Sequence, residues 1–456
     1  FDEPPDLAIK PELGEFGGND YQDFRTIVAR GREAAAPALA ANRAQLPSAP
    51  ARPAPDSGPT RIALTEITVE GNQAVREELI RKTFGAHPAE EPIDLDRVLR
   101  GMDALHATRL FDSIWVDLDS EDEEHTQAKI QVQETWPWAL EGGLSYVEAD
   151  QFGGFVRVRN RNLWGFGENA AITGAASDSE LRASIQLASQ RLFTPAIGYY
   201  ARAWLWEDKP RVFVAHEPAG RFDFDRLGAA AGVQRALGPE VLLRAGVGIE
   251  RIETDSRDEP VVPSGRERIF DVSGLVAWDR LDNPSFPAAG FATGISGVWG
   301  QVDDLAQDRT ADYWRVAASA RAARSFGRRT VLDGIALAGV AGGEVPLHEL
   351  FRIGGPIVPG LYRDELWDRQ AAAVGIACRI LLWKSLHATA LGGVGEAWPD
   401  WDAATLDGLH RGFGIGLESP TRIGPLSLIW GRGDDGESRI YFTAGYRFYP
   451  ALWLPN

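Results

Sequence analysis

The strongest constraint on this chain is a period-two alternation of apolar and polar residues that recurs from Trp136 to Phe448. Segments of about ten residues, separated by turn-forming residues, keep apolar side chains on one face, as strands with a single buried or lipid-facing side do. Sixteen such segments can be marked off, from Trp138–Val147 to Ser438–Phe448. An even count lets the two ends meet antiparallel, as a closed single-chain barrel requires. The expected fold is mainly β: a 16-stranded antiparallel transmembrane β-barrel over residues 136–448, with 449–456 as a tail. A soluble β-sandwich is the alternative. Aromatic residues near strand ends (Trp204/Trp206, Trp398/Trp401, Tyr446/Phe448) argue against it, because they suit an interfacial girdle.

Composition narrows the function. With 47 Lys+Arg against 65 Asp+Glu, the 456-residue chain has a formal net charge of -18, which argues against a nucleic-acid partner. No stretch holds eighteen apolar residues without charge, so no transmembrane helix is expected; barrel strands escape that criterion. Cys378 is the only cysteine, which leaves no disulfide framework and no cysteine metal site. The seven histidines are scattered; His348, His387 and His410 stand near turns and are expected to be solvated. No cofactor is expected. The chain begins at Phe1 without Met or a signal peptide, which reads as a processed piece or fragment.

Ahead of the barrel, residues 1–46 offer a strand candidate, Asp6–Pro11, and a helix whose apolar positions include Phe24, Ile27, Val28 and Leu39. Residues 47–59 are a stiff Pro-rich linker. Residues 60–135 read β-α-α-β-β: strands at Ile62–Glu70, Ser113–Leu118 and Thr126–Gln133, and helices at Val75–Phe84 and Leu95–Thr108. Three Asp-Gly pairs, Asp333-Gly334, Asp407-Gly408 and Asp435-Gly436, read as hairpin turns.

The turn Trp278–Gly290, WDRLDNPSFPAAG, cannot be helical and joins two alternating runs. Its Asp279, Asp282, Asn283, Pro284, Pro287 and Gly290 resemble the "DNP…P…G" turn of the BamA-like superfamily of outer-membrane assembly and translocation barrels. NLWGFGENAAI and ESPTRIGPLSLIWG resemble further turns of that superfamily. The closing strand, with Phe442, Tyr446 and Phe448, resembles the signal read by the barrel-assembly machinery, although the tail after it departs from the pattern. ITVEGNQAVREELIRK and LHATRLFDSIWVDL resemble a POTRA domain, which implies a sheet edge offered to extended chain in the periplasm. DLAIKPELGEF and RTIVARGREAAAPAL are similar to the last strand and helix of a bacterial patatin-like phospholipase, a truncated α/β tail. Patatins use a GxSxG nucleophile and a DG[GA] aspartate; neither is present, so no hydrolysis is expected of this chain.

Together the resemblances imply a patatin-like autotransporter of a Gram-negative outer membrane. Its barrel and single POTRA domain would secrete or display an N-terminal lipid acyl hydrolase. Its partners would be that passenger, outer-membrane lipid, lipopolysaccharide and the assembly machinery, with no nucleic acid. The alternative is a BamA/TamA-like assembly factor or a two-partner secretion pore; a soluble β-rich binding protein is the third reading.

The long loop Gly343–Arg369 is expected to carry mechanism. In the superfamily a "[VI]RG[YF]" tip sets an Arg against an acid on the wall. Here Pro359 stands at the Arg position and Leu361 at the aromatic one; Gly360, Tyr362, Arg363 and Glu365 resemble instead the "GY.R.EL" pattern of the patatin-linked branch, which implies Arg363 as the lumen anchor. The wall motif reads GGVGEAW, with Gly393 at the acidic position, followed by Gly395, Glu396 and Trp398. The Arg–acid lock is therefore in doubt from sequence.

Overall fold

The structure, a computed structural model, describes residues 9, 11–12, 24–42, 61–62, 64–85, 93–122, 125–147, 151–194, 197–214, 217–238, 240–256, 264–305, 307–405, 408–421 and 424–445. Residues 1–60 and 61–456 form two separate units. In the first, helix α1 (Phe24–Asn42) carries Pro37 in its interior. The strand expected over Asp6–Pro11 lies largely outside the described residues; Ile9 and Pro11 are in no strand.

The second unit opens with an αβ segment. It comprises β1 (Leu64–Glu70), α2 (Glu77–Phe84), α3 (Leu95–Ala107), β2 (Phe111–Asp122) and β3 (His125–Glu134). β3 is central, parallel to β1 and antiparallel to β2. The spacing of Leu79, Ile80 and Phe84 gives α2 one apolar face, which meets Ile67, Leu105 and Ile130 in a closed core. Its outer face carries Glu77–Arg81 and Glu78–Lys82, i,i+4 pairs at 2.6 Å. Gly85, left-handed at φ 72, ends the helix.

The barrel follows directly, with sixteen wall strands. They are β4 (Trp138–Val147), β5 (Gln151–Asn160), β6 (Asn169–Ser177), β7 (Glu180–Thr194), β8 (Ile197–Asp208) and β9 (Glu217–Leu237). β10 (Val241–Ser256), β11 (Gly265–Asp279), β12 (Gly290–Asp304), β13 (Arg309–Phe326) and β14 (Thr330–Gly343) come next. β15 (Gln370–Trp383), β16 (Leu386–Trp398), β17 (His410–Thr421), β18 (Gly424–Gly433) and β19 (Ser438–Ala444) close it. All neighbours are antiparallel, and β19 returns to β4. Strand order and number agree with the alternation; most strands run several residues further than the apolar signal. β11 shows the parity: Ile269 and Leu275 are buried inward, while Phe270, Val272 and Val276 are exposed outward, where lipid replaces water.

Two expectations are corrected here. Trp204 and Trp206 point into the lumen, where arginine guanidinium groups stack on both, and Trp398 is buried, so these are no lipid-facing girdle. The outward aromatics include Trp278, Trp299, Trp314 and Trp383. Asp333-Gly334 is no turn but the interior of β14, where Asp333 binds Arg321 and Arg379. Asp435-Gly436 does lie in the β18–β19 turn, and Asp407 is outside the described residues. So are Tyr446 and Phe448 of the closing-strand signal, while Phe442 faces outward from β19.

β19 meets β4 at Thr443↔Val147 and Ala444↔Tyr146, and the chain after Gly445 lies outside the described residues.

Candidate functional site

The lumen is occupied from both ends. The end nearer the αβ segment is partly filled by the Asp279–Gly290 turn. The Asp282 carboxylate accepts the backbone N–H groups of Asn283, Ala288 and Ala289 at 2.9–3.1 Å. Asn283 accepts those of Ser285 and Phe286, and Asp279 that of Leu281. These Asx contacts fold the turn on itself. Gly290, at φ 102, has no room for a Cβ against the Arg280 carbonyl. Two wall arginines hold the turn. Arg321 donates to the Pro284 carbonyl at 3.1 Å, and Arg379 donates to the Pro287 carbonyl while its guanidinium stacks on Phe286. Asp333 neutralises both arginines.

A second turn at the same end carries the αβ segment. Glu168 accepts the N–H groups of Trp164 and Phe166, shaping the Asn162–Glu168 turn. Its Gly165 carbonyl accepts the Arg76 N–H at 2.9 Å, and the Arg76 side chain reaches the Trp164 carbonyl. Glu134, ending β3, caps the Gln73, Ala74 and Val75 N–H groups. Barrel and αβ segment thus share a backbone hydrogen bond and a side-chain one, both from Arg76.

From the far end, the loop after β14 folds inward. It makes a short hairpin, Phe351–Ile353 with Leu366–Asp368. Phe351, Ile353, Val358 and Leu361 are buried against Ala317, Ala341, Ala371 and Ala373 of β13–β15. Burial of this many apolar side chains is the main force holding the loop. The tip lies on a floor of wall glycines. A Cβ on Gly393 would sit 1.8 Å from the Ile357 carbonyl oxygen, and one on Gly412 1.7 Å from that of Pro359. The position where an acid was sought is therefore closed to any side chain, because loop backbone occupies it. Tyr441 of β19 completes the dock, accepting the Gly360 N–H at 2.8 Å and donating to the Leu361 carbonyl at 2.7 Å.

The remaining candidates are placed as follows. Glu365 is buried and accepts the Tyr362 N–H at 2.6 Å, closing the tip. The Tyr362 ring stacks on Phe213 at 5.1 Å, beneath the Arg439 guanidinium. Arg363 lies 3.6 Å from its neighbour Asp364. Gly395 lies close on Ala373. Glu396 pairs with His410 at 2.7 Å, so His410 is partnered rather than solvated. Trp398 packs near Trp401.

The charged lock runs the other way round. Glu349, on the loop, binds Arg315 of β13 at 2.5 Å and lies 3.9 Å from Arg226 of β9. Arg226 also makes a bidentate pair with Glu250 of β10, which accepts Trp204 Nε1 at 2.6 Å. Arg352 extends the network toward Asp208 of β8 at 3.5 Å and stacks on Trp367. Burial pushes the Glu349 carboxyl up, but the cations, Arg315 foremost, outweigh it and hold it down at about 2. His348 is buried rather than solvated; burial first, then Arg226, hold it down at about 4, so it is neutral at pH 7.

Opposite the loop is a cavity of about 700 Å³ between the loop and β8–β13. Its wall glycines serve rings instead of backbone: a Cβ on Gly228 would meet Trp204, and one on Gly246 the Tyr200 hydroxyl.

Comparison with known proteins agrees with this architecture. Residues 162–448 match the Omp85 superfamily domain. The outer membrane protein assembly factor BamA of Nitratidesulfovibrio vulgaris is 26% identical over 113 residues, which is 25% of this chain and 14% of that protein. The chain thus matches far less than two thirds of that relative. The crystal structure of BamA from Haemophilus ducreyi lacking POTRA domains 1–3 superposes with a TM-score of 0.70 at 14% identity, covering 86% of this chain and 85% of that one. CdiB from Acinetobacter baumannii gives 0.54 at 11%, covering 85% and 74%. CdiB from Escherichia coli gives 0.53 at 14%, covering 84% and 76%. These structural likenesses concern the fold.

Proposed function

The chain belongs to the Omp85 superfamily of outer-membrane β-barrels, and from that premise we propose that it assembles other polypeptides into or across the outer membrane, in the manner of a BamA-type factor. One observation carries the reading: the lumen is obstructed by the loop and the turn, so a polypeptide is best served at the wall, where the first and last strands meet at the β19–β4 seam. An incoming strand needs free N–H and C=O groups at the membrane, and in this reading parting the β19–β4 seam supplies them on the edge of β4. β4 is also the strand that continues from the αβ segment. We read that segment as a POTRA domain in the periplasm, whose sheet edges receive extended chain before it reaches β4. Lipid, lipopolysaccharide and the assembly machinery are its surroundings in this reading.

The test locks the seam. Tyr146 and Ala444 are register partners, at a spacing a disulfide spans. In a Cys378→Ser background, the pair Tyr146→Cys/Ala444→Cys is reconstituted in liposomes with an unfolded outer-membrane β-barrel substrate. Oxidation is expected to stop appearance of the heat-modifiable inserted form, and reductant to restore it. Equal insertion by the oxidised protein would refute the seam.

A narrower reading, a translocator for an N-terminal patatin-like hydrolase, is supported by the resemblance of residues 1–46 and by helix α1. A GxSxG segment encoded upstream of Phe1, with lipid acyl hydrolysis by the longer product, would favour it. Insertion of foreign barrels by the chain itself would favour assembly.

A further inference from the structure

In a protein of net charge -18, the lumen cavity is basic: ten arginines and Lys209 line it against six carboxylates, an excess of five. Most of those carboxylates are already engaged. Arg226 holds Glu250, Arg315 holds Glu349, Arg352 reaches Asp208, Arg182 meets Glu180, and Arg363 meets Asp364. Two arginines deeper in the cavity are not neutralised this way. Arg202 stacks on Trp204 at 4.6 Å and Arg244 on Tyr200 at 4.6 Å. Neither has a carboxylate within ion-pairing distance among the described residues, and the Nε of each is buried without a hydrogen-bond partner. Arg244 has one long contact, to Gln234 at 3.4 Å. Guanidinium groups withdrawn from water without a contact ion pair are costly, and the rings beneath them only hold them in place.

We propose that this cavity binds a short extended segment of acidic polypeptide, its carboxylates taken by Arg202 and Arg244. The lining distinguishes peptide from a bare oxyanion. Beside the two arginines lie apolar Ile269, Leu275 and Val298, and Asp271, which has no ion pair among the described residues. A bare phosphate gains nothing from apolar side chains and has no donor for Asp271; a peptide brings apolar side chains and N–H donors that Asp271 can accept, as well as carboxylates. The volume is within the range of sites that enclose ligands of this size. The inference rests on the reading that the barrel handles polypeptides, and it names the kind of sequence retained.

The experiment uses the full chain in non-ionic micelles and a fluorescein-labelled probe hexapeptide alternating Asp with Leu and Phe. Anisotropy should show saturable binding that weakens with salt. A Lys-for-Asp probe should bind about tenfold more weakly or not at all. Arg202→Gln/Arg244→Gln should also weaken acidic-probe binding about tenfold, while Arg309→Gln at the exposed rim leaves it unchanged. Heat-modifiable migration of each variant confirms a closed barrel. Equal binding of both probes, displacement by an equal concentration of pyrophosphate, or undiminished binding by the double variant would each overturn the proposal. The seam disulfide leaves this readout untouched, so failure here and failure of the assembly reading can be told apart.

Discussion

Two halves of one wall use glycine for opposite ends. On β16 and β17, Gly393 and Gly412 leave space into which a foreign element, the loop backbone, is pressed. On β9 and β10, Gly228 and Gly246 leave space for the rings of Trp204 and Tyr200, which stand on the wall's own strands. The first half becomes an apolar dock with no side-chain charge at the contact. The second keeps its surface free, and the rings spread arginines over it. The same residue type at the same parity thus produces a closed face and an open one, and the neighbours decide which.

Removing the ionic clasp between the halves should have the largest effect. Glu349→Ala leaves the largely buried Arg315 without its carboxylate and should cost about 3 kcal/mol, read as a lower urea midpoint and faster tryptic cutting within the loop. Because Glu349 is held down at about 2 against an ordinary 4.5, its contribution is complete above the ordinary value and fades as pH falls toward 2. The loop should therefore stay docked at pH 5.

Filling the dock comes next. Gly393→Val puts side-chain atoms where the Ile357 carbonyl lies and should cost about 3 kcal/mol, because rigid backbone has to move. Filling the ring side is milder. Gly228→Ala meets the Trp204 ring, a side chain able to turn away, and should cost about 1–2 kcal/mol, with a change in tryptophan fluorescence as the Glu250 hydrogen bond is lost. Equal penalties at Gly393 and Gly228 would erase the distinction between the halves.

The smallest effect is expected at Arg309→Ala, at the base of the loop. Its pair with Glu344 is exposed, and such pairs contribute about 0–1 kcal/mol. A large loss of loop protection there would show that rim charge, not the dock, holds the loop.

Strand number and order were legible because the period of two survives wherever one face meets lipid. Strand ends were not: Asp303, Asp304 and Arg309 continue the β12–β13 ladder beyond the apolar band, where no alternation remains to mark it. The lumen position of Trp204 and Trp206 was available in the sequence. They share parity with Arg202 and Asp208, whereas Ala201, Ala203 and Leu205 make the opposite, lipid-side row. Reading them by residue type instead of parity put them on the wrong face. The loop was legible by its length, and its broken Arg–acid motif signalled a different lock. That the lock is Glu349 against Arg315 and Arg226 was not, because those residues come from segments up to 123 positions apart and meet only when the barrel closes.

The dock itself can be tested by thiol accessibility. In a Cys378→Ser background, Leu361→Cys lies in the loop tip at a position 3% exposed, and Trp401→Cys at a rim position 54% exposed. An impermeant maleimide applied to the folded protein should label Trp401→Cys readily and Leu361→Cys far more slowly, with Glu349→Ala raising the slower rate. Equal rates at the two sites in the folded protein would show the tip outside the lumen and contradict the account.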